Sequence, residues 1–95
     1  MLHLILHSPF KCDFDALMRM LATGDDVLLI QDGVVAAMEG SQALGRLIGA
    51  PVSLYVLRED VLARGLSAQI SASIAQVGYT DFVALTVKHP QQVTW

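Results

Sequence analysis

The sequence predicts one α/β domain spanning residues 1–95: three layers, with a mainly parallel sheet of four to five strands and helices on both faces. Three observations predict it. Short apolar runs alternate with segments of helical period, an order that leads to right-handed crossovers and parallel pairing. The runs are apolar at odd and even positions alike, as strands covered on both faces are. The chain has 95 residues, 54% of them hydrophobic and 16% charged, which makes one small domain and excludes disorder.

The first run, Leu2 to Leu6, is a strand closed by Ser8-Pro9. Phe14, Leu17, Met18 and Leu21 then fall at i, i+3, i+4 and i+7, one stripe of a helix. Asp13 is its expected N-cap, Asp15 stands in its first turn, and Gly24 is its expected stop. Val27 to Ile30 repeats the buried-strand pattern and ends at Gln31-Asp32-Gly33. A helix is expected from Val34, broken or loosened at Gly40 and resumed by Leu44, Leu47 and Ile48, with Gly49-Ala50-Pro51 ending it. Val52 to Leu57, rich in β-branched and aromatic residues, is the third strand. Glu59 to Arg64 is a short helix stopped by Gly65, and Ala75 to Val77 is a weak fourth strand. Thr80 or Asp81 is expected to cap a last helix carrying Phe82, Leu85 and Thr86 and ended by Pro90. Val93 to Trp95 adds a short final strand.

Composition narrows the function classes. Even with glycine counted as apolar and tyrosine left out, the apolar share exceeds the roughly 45–50% of soluble domains. A domain of this size cannot hide the surplus, so a partner subunit is expected to cover it. No uncharged apolar stretch reaches the roughly 18–20 residues of a spanning helix; the longest uncharged one, Gly65 to Thr80, is full of Ser, Gln and Gly. No Lys or Arg precedes the first apolar run, which reads as neither signal peptide nor anchor. Cys12 is the one cysteine, so no internal disulfide forms, as suits a reducing cytoplasm. A net charge of −3 gives no basic footprint for nucleic acid.

In a parallel sheet a site lies beyond the carboxyl ends of the strands. His7-Ser8-Pro9, Gln31-Asp32-Gly33 and Arg58-Glu59-Asp60 land on that rim. Cys12 is the only soft nucleophile, placed ahead of the first helix and beside Lys11. Both neighbours would lower its pKa, as a persulfide carrier or redox thiol requires. The competing account is a loop cysteine with no second thiol and no fixed base. His7 is a rim base or hydrogen-bond donor near neutral pH, or a histidine bonded to a neighbouring loop. His3 lies inside the first strand and is expected to be packed. Asp32-Gly33 is a tight turn, with neither the several glycines nor the Lys-Ser/Thr ending of a phosphate loop. Glu59 and Asp60 could form an acid–base pair, but the first turn of a helix attracts acids for its dipole alone. Met18 and Met20 read as core and interface filler. Three scattered histidines and one cysteine lack metal-ligand spacing. No cofactor and no metal are expected, and the catalytic candidates reduce to Cys12, with His7.

Three segments, Leu28 to Ala37, Tyr55 to Gly65 and Tyr79 to His89, together with His7 to Phe10 and Trp95, closely resemble the DsrH-like family over nearly the whole chain and in the same order. The resemblance implies a DsrE/flavodoxin-like domain, one of three related subunits. With TusC and TusD it would form a heterohexamer holding two copies of each. That complex relays persulfide sulfur from TusA toward TusE and the thiouridylase MnmA, ending in 2-thiouridine at the wobble position of certain tRNAs. The resemblance places the sulfur-carrying cysteine on TusD. Some sulfur-oxidiser relatives carry a cysteine in the first helix, where this chain has Leu17 and Met18. Cys12 lies upstream in the loop, so that chemistry cannot be moved onto it.

Three functions compete. The first is a non-catalytic structural subunit of the relay, not an enzyme by itself. The second is a sulfurtransferase subunit using Cys12 as persulfide acceptor, tuned by His7 or Lys11. The third is a small-molecule binding module at the rim, which Asp32, Glu59 and Asp60 disfavour for phosphate ligands.

Overall fold

The computed structural model describes residues 1–95. One sheet holds β1 (Leu2–Ile5), β2 (Asp26–Leu29), β3 (Ser53–Leu57), β4 (Ala75–Val77) and β5 (Gln92–Thr94). The spatial order is β4-β3-β2-β1-β5, and every neighbouring pair is parallel. Leu2 of β1 stands opposite Asp26 on one side and Gln92 on the other. The helical elements are α1 (Phe14–Met20), a 3₁₀ segment (Gln31–Ala37), α2 (Gln42–Ile48), α3 (Arg58–Ala63) and α4 (Tyr79–Lys88).

The sheet divides the apolar residues into two unequal cores. Ile5, Val27, Leu29 and Val56 pack on Phe14 and Leu17 of α1, Val34 and Ala36 of the 3₁₀ segment, Leu44 and Leu47 of α2, and Val61 of α3. Leu2, Leu28, Ile30 and Leu57 pack on Leu85, with Phe82 alongside. Four helical elements therefore cover one face, and α4 alone covers the other. The predicted stripe of α1 holds: Phe14 and Leu17 are buried, and Met18 and Leu21 pack partly buried against the larger core.

Three boundaries differ from expectation. The helix expected from Val34 is a separate 3₁₀ segment that begins earlier. Its closing bonds are three-residue ones, Gly33 N–H to Ile30 O and Met38 N–H to Val35 O. Gly40, at φ 82°, turns the chain, and Ser41 then caps α2 by accepting from Leu44 N–H at 3.0 Å. Neither Thr80 nor Asp81 caps α4. Gly78 is the cap residue, and Asp81, in the first turn, accepts from Gly78 N–H at 3.1 Å. Gly24, at φ 90°, lies in the turn beyond α1, which already ends at Met20 with Leu21 extended. Gly65, at φ 66°, does stop α3, while Leu66 N–H folds back onto Val61 O. The long stretch before β4 is held by bonds at the end of the 3₁₀ segment, Glu39 N–H to Gln69 O and Ser71 N–H to Ala37 O.

Candidate functional site

The carboxyl rim is built by β1, β2 and β3 handing over to their loops. Asp13 caps α1 through Ala16 N–H at 3.0 Å, which fixes the loop carrying Cys12. Cys12 is half-buried and packs against the larger core. Burial pushes its thiol pKa up, and the Asp13 carboxylate adds to the rise. That is the reverse of the depression expected from Lys11 and a helix N-terminus. His7 is exposed and its Nδ1 donates to the Trp95 carbonyl at 3.1 Å; it makes no hydrogen bond to Cys12. The two sequence-derived candidates share the rim without forming a nucleophile–base pair.

Two acids of the rim, Asp32 and Asp60, are occupied in holding it together. Asp60 accepts from Gln31 N–H at 2.6 Å, and Gln31 sits at φ 51°, a conformation side chains other than glycine rarely adopt. Arg64 reaches Asp32 Oδ1 with Nε at 3.2 Å and Nη2 at 3.1 Å, and donates to the Asp60 carbonyl as well. Glu59 and Asp60 occupy the first turn of α3. Glu59 Oε1 is buried without a hydrogen-bond partner. Gly33 is required sterically: a Cβ there would stand 1.9 Å from the Ile5 carbonyl oxygen. Beside the rim lies a groove of about 440 Å³ between Phe10, Phe14 and α2. Arg46 lies 5.1 Å from the Phe14 ring centroid and pairs with Asp15 at 2.8 Å.

A second polar cluster, at the amino end of the sheet, escaped sequence reasoning. Asp25 accepts from buried His3 at 2.9 Å, from the Met1 ammonium at 3.0 Å and from Ala22 N–H at 3.0 Å. Burial works to raise its carboxyl pKa, but these hydrogen bonds and the ammonium charge outweigh it and hold it at about 2. Asp26 meets His89 at 2.7 Å and Lys88 at 3.0 Å. There too burial is outweighed by the two partners, and the pKa falls below the usual carboxylate range. The only signal in the sequence was an acidic pair directly ahead of a fully apolar strand.

Apolar surface remains uncovered. Tyr79, Val83 and Val87 stand at i, i+4 and i+8 on the outer side of α4, and are 56%, 60% and 80% exposed. Phe10 is 92% exposed at the rim. No helix is long and apolar enough to cross a membrane.

An all-parallel sheet of order β4-β3-β2-β1-β5, with β5 at one edge and one side covered by α4 alone, defines a small layered α/β domain. Its fold is shared by the ychN protein from Escherichia coli, with TM-score 0.77 and 13% identity over 99% of this chain and 97% of that one. Protein Tm0979 from Thermotoga maritima aligns with TM-score 0.66 and 25% identity over 96% and 97%. The chain belongs to the DsrH-like family, whose model, described as DsrH like protein, matches residues 7–92. Among curated relatives, Protein TusB of Erwinia tasmaniensis is 59% identical and Protein TusB of Escherichia coli (strain K12) is 54% identical, each over the full length of both chains.

Proposed function

We propose that this chain is a non-catalytic structural subunit of a sulfur-relay complex required for 2-thiolation of the wobble uridine of tRNA. Its partners are TusC and TusD, two copies of each subunit making a heterohexamer that takes sulfur from TusA and passes it to TusE in the cytoplasm. The full-length similarity to proteins named TusB supports the placement. The observation that carries the structural role is the uncharged row Tyr79, Val83 and Val87, exposed on a helix that is itself the sole cover of its sheet face. Apolar rows of this kind on small domains mark contact surfaces. A half-buried thiol pushed toward its protonated form also fits poorly with a persulfide acceptor, because the thiolate is the nucleophile.

The competing reading makes Cys12 a persulfide acceptor. Serine, with a far higher pKa, cannot replace an obligatory thiolate, and losing such a nucleophile costs orders of magnitude in rate. In cells, tRNA thiolation should persist with Cys12→Ser and fall when the subunit is deleted. Mass spectrometry should find persulfide on a partner's cysteine. A stable persulfide on Cys12, with thiolation lost in the serine variant, would overturn the structural role.

A further inference from the structure

Trp95 is the chain's one tryptophan; its backbone N–H donates to Leu4 O at 2.8 Å and its carbonyl accepts from Leu6 N–H at 2.9 Å, and two histidines contact it as well. Its indole Nε1–H donates to His3 Nδ1 at 3.3 Å, and its carbonyl also accepts from His7 Nδ1 at 3.1 Å. The His3 and Trp95 rings lie 22° from parallel with centroids 6.5 Å apart. An indole nitrogen can only donate, so His3 Nδ1 presents a lone pair. Neutral His3 therefore carries its proton on Nε2, which donates to Asp25 at 2.9 Å. His3 is fully buried, so its ring nitrogens do not readily exchange these partners for water.

We propose that His3 and Trp95 form a proton-operated latch for the indole side chain, while the backbone bonds of Trp95 to Leu4 and Leu6 keep the chain beyond β5 on β1. A proton taken up at His3 Nδ1 replaces an acceptor with a donor and sets two N–H groups against each other. The bond to Asp25 survives, because Nε2 keeps its proton and the carboxylate keeps its charge. Proton uptake thus releases the indole and leaves the rest of the cluster in place.

The charged surroundings select His3 as the sensor. From the segment ahead of β2 it faces Asp25, whose other oxygen holds the Met1 ammonium. The residue following α1, Leu21, leads into Ala22, which supplies only a backbone N–H to that carboxylate. From Trp95, directly after β5, comes the uncharged indole. His89 and Lys88 lie on Asp26 instead. His7 donates from Nδ1 in both its neutral and charged forms, so its titration leaves the carbonyl contact intact.

The test is an NMR titration of the whole chain from about pH 8 to about pH 5, the range in which histidines change charge. It follows the Trp95 indole N–H and the ring nitrogens of His3. Neutral His3 should carry its proton on Nε2, and the indole should lose about tenfold in exchange protection with the midpoint of the His3 titration. His3→Gln should flatten the indole response, and His7→Gln should preserve it. A neutral proton on Nδ1, an indole indifferent to the His3 titration, or a His3 ring that stays neutral until the protein unfolds would each overturn the latch. So would a response that persists in His3→Gln or disappears in His7→Gln. Should His3→Gln not fold, the wild-type titration and His7→Gln still decide.

Discussion

Asp25 and Asp26 are neighbours in the chain, yet they serve opposite faces of the sheet, and each ends on a histidine: His3 at 2.9 Å and His89 at 2.7 Å. Successive side chains alternate across an extended chain, so two adjacent acids supply one anchor per face. Asp25 ties the start of β1 to the segment after α1, and Asp26 ties the end of α4 to the sheet. The helix that works alone on its face is thereby fixed at its C-terminal end by charge.

This pairing sets an acid limit on stability. The Asp25 carboxyl is lowered from 3.8 to about 2, so its contribution is present above pH 4 and is lost as pH falls through its folded value. The shift corresponds to about 2 kcal/mol. Asp26, also lowered, adds in the same direction. Urea midpoints measured between about pH 5 and about pH 2 should drop steeply for the wild type and less steeply for Asp25→Asn. Equal slopes would show that the cluster does not carry the linkage.

Leu17→Ala should cost roughly 2–5 kcal/mol, the range for deleting a buried leucine, because Leu17 is fully buried beneath α1. A loss below about 1 kcal/mol in denaturant unfolding would remove it from the core.

Gly33→Ala should be at least as damaging to folding as many core truncations, at about 2 kcal/mol or more. The added methyl collides with backbone, the Ile5 carbonyl at 1.9 Å, and no rotamer can avoid it. Gly45→Ala, where nothing lies within 4 Å, is the control and should be neutral or stabilising on an exposed helix. Comparable unfolding midpoints for the two variants would contradict the close approach.

Val83→Asp combined with Val87→Asp should change the stability of the isolated chain little, since exposed positions usually respond within about 0.5 kcal/mol per change. The same variant should fail to co-purify with the proposed partners TusC and TusD. Retention of the complex would mean that the outer side of α4 is not the contact surface.

Elements set by apolar patterning were legible in the sequence. The runs at Leu2, Val27 and Val52 and the α1 stripe follow from which residues avoid water, while the short strands at Ala75 and Val93 lie at the sheet edges and are mostly exposed. What was not legible depends on contacts between distant segments. The 3₁₀ segment forms where Asp60 takes Gln31 N–H and Arg64 takes Asp32, and no local pattern encodes those bonds. Gly78 caps α4 because Asp81 reaches back to it, so an acid in the first turn looked like the cap itself. At the candidate site, the rim membership of His7, Asp32 and Glu59 was readable from the strand ends. The upward push on the Cys12 thiol was not, because burial depends on the packed core beneath the loop. The Asp25–His3 pair stayed hidden because its partners lie 22 residues apart.

Trp95 meets His3 across 92 positions of sequence, and that distance has a price in time. A ribosome adding roughly 5–20 residues per second reaches the tryptophan about 5–20 s after His3. Throughout that interval the nascent β1 lacks its outer neighbour and can pair with another chain. The strand that shields β1 is thus made long after β1 itself.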